Sequence, residues 1–219
     1  MFITAPTDNI TLAERWERPD LDVLARFGSV PAANVGDVLG RMTVMDGGIR
    51  LRTERDRLLG FALPVDTRSG DNLAIHRALD EARPGDVLVV NGRGDTTRAV
   101  IGDLIGEIMV SAGMAGAVID GAVRDVEALS RQGLTVYARA VTPAGPFKNG
   151  PGTVGVPVAV GGLVVEAGDL LIGDADGVVV VPRDRIEEVA GRVGAIVRYE
   201  EDLRARIIEA RTAAPAKVH

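Results

Sequence analysis

The chain contains no cysteine, and its only histidines are His76 and His219. A thiolate nucleophile and a Cys/His zinc site are therefore excluded, and one internal histidine cannot build a His-rich centre. Any metal must sit on oxygen ligands, which favours Mg²⁺ or Mn²⁺. Lysine is almost as scarce, with Lys148 and Lys217 alone. Aromatic residues make up 3 % of the chain, so the core must be Val, Ile, Leu and Ala, packed closely around some of the 27 glycines. The net charge is −6, no basic run occurs, and few rings are available to stack on bases. These features argue against a nucleic-acid partner. No stretch of 18 consecutive apolar residues occurs, and the opening lacks a charged segment followed by an apolar one. We expect a soluble cytoplasmic protein without a membrane partner.

What is present has the punctuation of a single α/β domain with extensions, a size that 219 residues suits. Residues 1–30 read as an N-terminal helical extension, with a stripe at Leu21, Leu24, Ala25 and Phe27 that Gly28 ends. Residues 31–45 read as a helix. Apolar strands are expected at Leu58–Val65, Val87–Val90, Ala117–Asp120 and Thr135–Ala138, with helices at Asn72–Glu81, Thr97–Ser111 and Val126–Gln132 between them. Gly161-Gly162 marks a hairpin, and two further strands cover Leu170–Gly173 and Val178–Val181. A long charged helix runs from Asp184 to about 212, and 213–219 is a tail. Helices, then mixed strands and helices, then mainly strands, then a helix is not a Rossmann alternation. The order suggests sheets packed on one another with helices outside.

Chemistry concentrates between Gly92 and Asp125, GRGDTTRAVIGDLIGEIMVSAGMAGAVIDGAVRD. The Gly92–Asp95 stretch reads as a strand-to-helix loop whose N–H groups could converge on an anion. Asp103, within the expected helix, then twenty residues, then Arg124-Asp125, after a buried strand, supply two carboxylates and a guanidinium. An arginine there can clamp a carboxylate through two bonds, and an adjacent aspartate can ligate a hard cation. A surface Arg–Asp pair and a helix cap are the competing structural reading. Asp120 is a further carboxylate, better read as a turn residue. His76 is better read as structural or surface-exposed than as catalytic. Arg68, Ser69 and Asn72 in one polar loop, and Phe147–Gly150 in another, are placed to reach a distal substrate group.

Together with PGDVLVV at 84–90, NVGDVLG at 34–40 and VGGLVVEAGDLLIGDADGVVVVP at 160–182, the Asp-x20-Arg-Asp signature resembles the RraA-like superfamily over roughly residues 30–210. That superfamily holds class II pyruvate aldolases acting on 4-hydroxy-4-methyl-2-oxoglutarate and 4-carboxy-4-hydroxy-2-oxoadipate, and regulators of ribonuclease E activity. The resemblance implies a β/β/α sandwich of the swivelling-domain kind, in which 31–212 is one catalytic domain including the C-terminal helix. It implies a trimer or hexamer with active sites between subunits. Asp125 would bind Mg²⁺ or Mn²⁺. Arg124 would bind the oxo-acid and stabilise enolate charge, and Asp103 would hold a proton-shuttling water. Gly102, Asp103, Leu104 and Ile105 would present N–H groups to the pyruvyl carboxylate. Glu200 of a neighbouring subunit, with Glu201 as the alternative, would complete the metal's water shell.

The implied reaction is a metal-dependent retro-aldol cleavage that releases pyruvate, with oxaloacetate decarboxylation as a side activity. A lysine-based aldolase is disfavoured, since neither lysine lies in the signature. A regulator that binds a protein without chemistry is the main alternative. The N-terminal segment and the long C-terminal helix resemble the aldolases more than the shorter regulators. No S-adenosylmethionine loop supports a methyltransferase.

Overall fold

The computed structural model describes residues 6–14, 16 and 18–213. Four parallel strands form its centre: β3 (Leu58–Thr67), β4 (Asp86–Ile101), β5 (Gly116–Val123) and β6 (Thr135–Val141). Each passes to the next through a helix, α2 (Leu73–Leu79), α3 (Asp103–Ser111) and α4 (Val126–Arg131). Apart from the polar stretch Asn91–Arg98 in β4, the strands are mostly apolar because both faces are covered. One face, including Leu63, Val65, Leu88, Val90, Ile119 and Val136, packs on these three helices. The other, including Ala62, Val87, Val89, Val118 and Tyr137, packs on a second layer of strands.

That second layer shows the period of two that a strand between unlike neighbours requires. Strands β10 (Leu170–Asp174) and β11 (Gly177–Val181) form an antiparallel pair. Leu171, Val178 and Val180 face the parallel strands. Leu170, Ile172, Val179 and Val181 face outward onto α1 (Ala32–Val38), Phe27 and the first turns of α5 (Ile186–Ala213). The order is therefore helices, strands, strands, helices: a mixed α/β fold with helical cover from both ends of the chain. The hairpin β8 (Val158–Val160) to β9 (Leu163–Val165) turns through Gly161 and Gly162, both at positive φ, as its sequence requires.

Three expectations are revised. The helix expected from Thr97 begins at Asp103, because β4 resumes after a bulge and runs on to Ile101. Arg93 and Gly94, at φ 59° and 67°, lie in the first of three register shifts between Asn91 and Ile101, and the strand resumes its pairing with β5 at Ala99 and Ile101. The helix expected over 31–45 stops at Val38, where Gly40 at φ 68° allows the Arg41 N–H to close on the Gly36 carbonyl. Residues 1–30 are not wholly helical. Residues 1–5 lie outside the described residues. Strand β1 (Ile10–Leu12) pairs with β7 (Gly152–Val154), and Leu21–Phe27 is a 3-10 helix. Arg18 grips the buried Asp86 carboxylate at 2.8 Å, so this segment is sewn onto the domain. Of the expected tail, 214–219 lies outside the described residues. No helix among the described residues is long and apolar enough to cross a membrane.

Candidate active site

The twenty-residue spacing of the signature is one βαβ unit. Asp103 opens α3 directly after β4, and Arg124-Asp125 follow β5 and lead into α4. Strands β4 and β5 are parallel neighbours in which Ile101 is the register partner of Val123. The pairing therefore sets Gly102-Asp103 beside Arg124-Asp125 at one end of the sheet, and the Arg124 N–H donates to the Ile101 carbonyl at 3.0 Å. Carboxyl ends of adjacent parallel strands are where α/β folds place ligands.

The contacts there are local and specific. Asp125 is left-handed at φ 54°, an uncommon state for a residue with a Cβ. Its Oδ2 lies 3.2 Å from Arg124 Nε and accepts the Asp103 N–H at 3.3 Å. Asp103 Oδ1 accepts the Leu104 N–H at 2.8 Å. Gly102 is buried, and an added Cβ would collide with Asp125 Oδ2 and stand 2.9 Å from Arg124 Cγ. Its φ of −157° is ordinary extended backbone, so glycine is required here for space. Gly145 leaves room in the same way, with Arg124 Nη1 3.2 Å from where its Cβ would be.

These residues open on a cleft of ≈ 100 Å³ lined by Gly102, Asp103, Leu104, Ile105 and Arg124 on one side. Asn72, His76, Pro146 and Lys148 close the other. Asp71, fully buried, builds that second wall. Its Oδ1 accepts the Leu73 N–H at 2.9 Å, which fixes the start of α2, and its Oδ2 accepts the N–H groups of Asn149 at 2.7 Å and Gly150 at 3.1 Å. The loop carrying Lys148 is thereby tied to the helix carrying His76.

His76 is buried in α2, and neither ring nitrogen has a partner; the Asn72 side-chain oxygen is likewise unpartnered. Buried polar atoms without partners are uncommon in folded proteins and cost stability. Burial, aided by the Lys148 charge, pushes His76 from 6.5 down to about 4. The unfolded chain takes up this proton near pH 6.5, and the folded chain refuses it until about 4. Stability should therefore fall as the pH drops through that window. His76→Gln should flatten the dependence of melting temperature on pH between 7 and 4.5 relative to the wild type. Parallel curves for the two proteins would exclude His76 as the source.

The structure thus brings Gly102, Asp103, Leu104, Ile105, Arg124 and Asp125 together. Glu200 does not line this cleft; it stands on α5 with Arg204 Nη2 3.5 Å from its Oε2. The Gly92–Asp95 stretch, expected as a strand-to-helix loop, is a bulge within β4, with Arg93 Nη2 donating to Asp66 Oδ2 at 2.7 Å; the strand-to-helix turn is Gly102 instead. Asp120 is a structural tie that accepts from Arg139 and from the Gly161 N–H at 2.9 Å. Arg68 and Ser69 line a separate groove with Arg93 and Thr153, so of the three residues expected from that polar loop only Asn72 lines the cleft. His76, expected as structural or surface-exposed, is buried and lines the cleft one turn from Asn72.

Among the described residues no three His, Cys, Asp or Glu side chains converge on one point. This donor set does not suit a dehydrated chelate, but it suits a hard cation that keeps most of its water and needs one or two carboxylates. Asp125 Oδ2 is engaged by Arg124 and the Asp103 N–H, which leaves Oδ1 directed elsewhere.

The family model described as RraA-like, Aldolase/RraA, matches residues 32–180, a range that holds the whole cleft. The chain belongs to the RraA-like family. A Halalkalibacterium halodurans protein provisionally named 4-hydroxy-4-methyl-2-oxoglutarate aldolase is 39 % identical over 78 % of this chain and 81 % of its own. An Ectopseudomonas mendocina protein with the same provisional name is 37 % identical over 52 % of this chain and 70 % of its own. The fold recurs in Streptomyces coelicolor RraAS2, described as an unusual member of the RNase ES inhibitor RraA protein family. There the TM-score is 0.77 at 27 % identity, over 86 % of this chain and 100 % of that one. The RraA-like domain thus carries the signature on its central βαβ unit.

Proposed function

We propose that this RraA-like protein is a divalent-metal-dependent carbon–carbon lyase. It cleaves a 4-hydroxy-2-oxo di- or tricarboxylic acid by a retro-aldol reaction that releases pyruvate, and it also decarboxylates oxaloacetate. The observation that carries this reading is the register pairing of Ile101 with Val123, which sets the N-terminus of α3 beside Arg124 and Asp125. The names of the curated relatives support it.

Each residue has a definable task. The start of α3, Gly102 to Ile105, receives the pyruvyl carboxylate through the partial positive charge of the helix end and those N–H groups that Asp125 and Asp103 do not already hold. Cleavage of the C3–C4 bond leaves its electron pair on an enolate, and the Arg124 guanidinium supplies fixed positive charge to that oxygen. A water on Asp103 takes the proton of the substrate hydroxyl, and a proton returned to the enolate carbon gives pyruvate. Bound at Asp125, Mg²⁺ or Mn²⁺ would supply Lewis acidity to the keto and carboxylate oxygens. Asn72, His76 and Lys148 face the remainder of the substrate. Lys148 is exposed, whereas an imine-forming lysine is activated by burial or by a cationic neighbour.

Glu200, or Glu201, is proposed to enter the cleft of a neighbouring subunit in a trimer or hexamer. Tyr199, Leu203 and Ile207 leave an apolar stripe exposed along the same helix, which supports burial of α5 against another copy. Pyruvate release from 4-hydroxy-4-methyl-2-oxoglutarate and from oxaloacetate should require Mg²⁺ or Mn²⁺, stop with EDTA and be lost in Asp125→Ala. Borohydride with pyruvate should trap no adduct. Wild-type inactivity on both acids, in folded protein with metal, would favour instead the RraA-type binding module to which the likeness to RraAS2 points.

A further inference from the structure

The short helix α4 touches the reacting end of α3 at both of its own ends, and the two contacts meet on one residue. Asp125, its N-cap, accepts the Asp103 N–H at 3.3 Å. Gln132, its C-cap, donates from Nε2 to the Asp103 carbonyl at 3.1 Å. The backbone of Asp103 is thus held in front by the proposed metal carboxylate and behind by an amide. We infer that Gln132 is a positioning residue that fixes Asp103, and through it Asp125, at their working separation.

Two further observations support this. Gly106, one turn along α3, is where the amide lies: a Cβ there would collide with Gln132 Oε1 and stand 2.6 Å from Leu129 Cδ2. A glycine inside a helix costs stability, so the close approach of the side chain to α3 is what the position serves. Gln132 Oε1 is buried and has no hydrogen-bond partner. A purely packing role is better filled by an apolar side chain, which would leave no orphan acceptor. The donor is what the position needs. Turning the amide over would set two acceptors against each other, so the carbonyl of Asp103 dictates its orientation.

This inference rests on the metal-dependent reading of the site, and the test separates the two. Gln132→Met keeps the volume and removes the donor. Mn²⁺ affinity, read by electron paramagnetic resonance, should weaken about tenfold, and kcat for pyruvate release should fall about tenfold, with KM within about twofold. Circular dichroism should be unchanged. Gly106→Ala, which pushes the amide away without removing it, should reproduce both effects and serves as the second variant should Gln132→Met not fold.

A folded Gln132→Met with wild-type Mn²⁺ affinity and kcat, whatever its melting temperature, overturns the inference. Wild-type protein that binds Mn²⁺ but releases no pyruvate defeats the lyase reading alone, and the Mn²⁺ measurement then decides on Gln132. Wild-type protein that binds no Mn²⁺ defeats both.

Discussion

Replacement of Arg124 by alanine is expected to lower kcat for pyruvate release by roughly 10²- to 10³-fold, the usual consequence of removing a fixed charge-stabilising donor. Among the described residues Arg124 is the one guanidinium lining the cleft, and it is set there by a backbone bond to Ile101 and a side-chain contact to Asp125. Its side chain is 39 % exposed, so its removal leaves no buried charge behind and the fold should hold. Arg124→Lys should recover only part of the loss, because an ammonium cannot reproduce the planar fork that meets a carboxylate or enolate. Steady-state kinetics on oxaloacetate, the smaller substrate, would show whether the loss belongs to the enolate step common to both acids. A loss confined to the larger acid would place Arg124 at the distal end of the substrate instead.

The second large effect is expected from a single methyl group. Gly102→Ala would press its Cβ onto Asp125 Oδ2 and to 3.0 Å from Arg124 Nε. Because the φ of Gly102 is extended, alanine meets no backbone penalty, and relief must come from displacement of Asp125 and Arg124. The 3.3 Å bond from the Asp103 N–H to Asp125 would be lost in the process. A displacement of about 1 Å at reacting groups costs on the order of 10²-fold, so kcat/KM should fall by about that factor. Melting temperature should change little, since both displaced side chains are partly exposed. Unchanged activity in a folded Gly102→Ala protein would mean that the Arg124–Asp125 pair is not at the reacting centre.

The revised boundaries show where local sequence stops being decisive. Thr97–Ile101 has no strong helical or strand period, and the neighbouring strand β5 settles the matter by pairing with it through Ile101 and Val123. Ile10–Leu12 is three residues long, and only the presence of β7 makes it a strand. Conversely, Gly161-Gly162 fixed its hairpin from two residues, because both must take positive φ and glycine does so without cost.

By itself the sequence determined the buried aliphatic strands, the oxygen-only donor set left by the lack of cysteine and histidine, and the Asp-x20-Arg-Asp spacing. These are local properties: apolar run length, side-chain chemistry, and the length of one helix and one strand. Only the tertiary structure decided which groups face Arg124. Asp71 carries the Lys148 loop to α2, α2 places His76 in the lining of the cleft, and Gln132 reaches Asp103 across a gap that Gly106 leaves open. Those contacts join residues far apart in the chain, and each depends on how helices seat on the sheet, which no local pattern encodes.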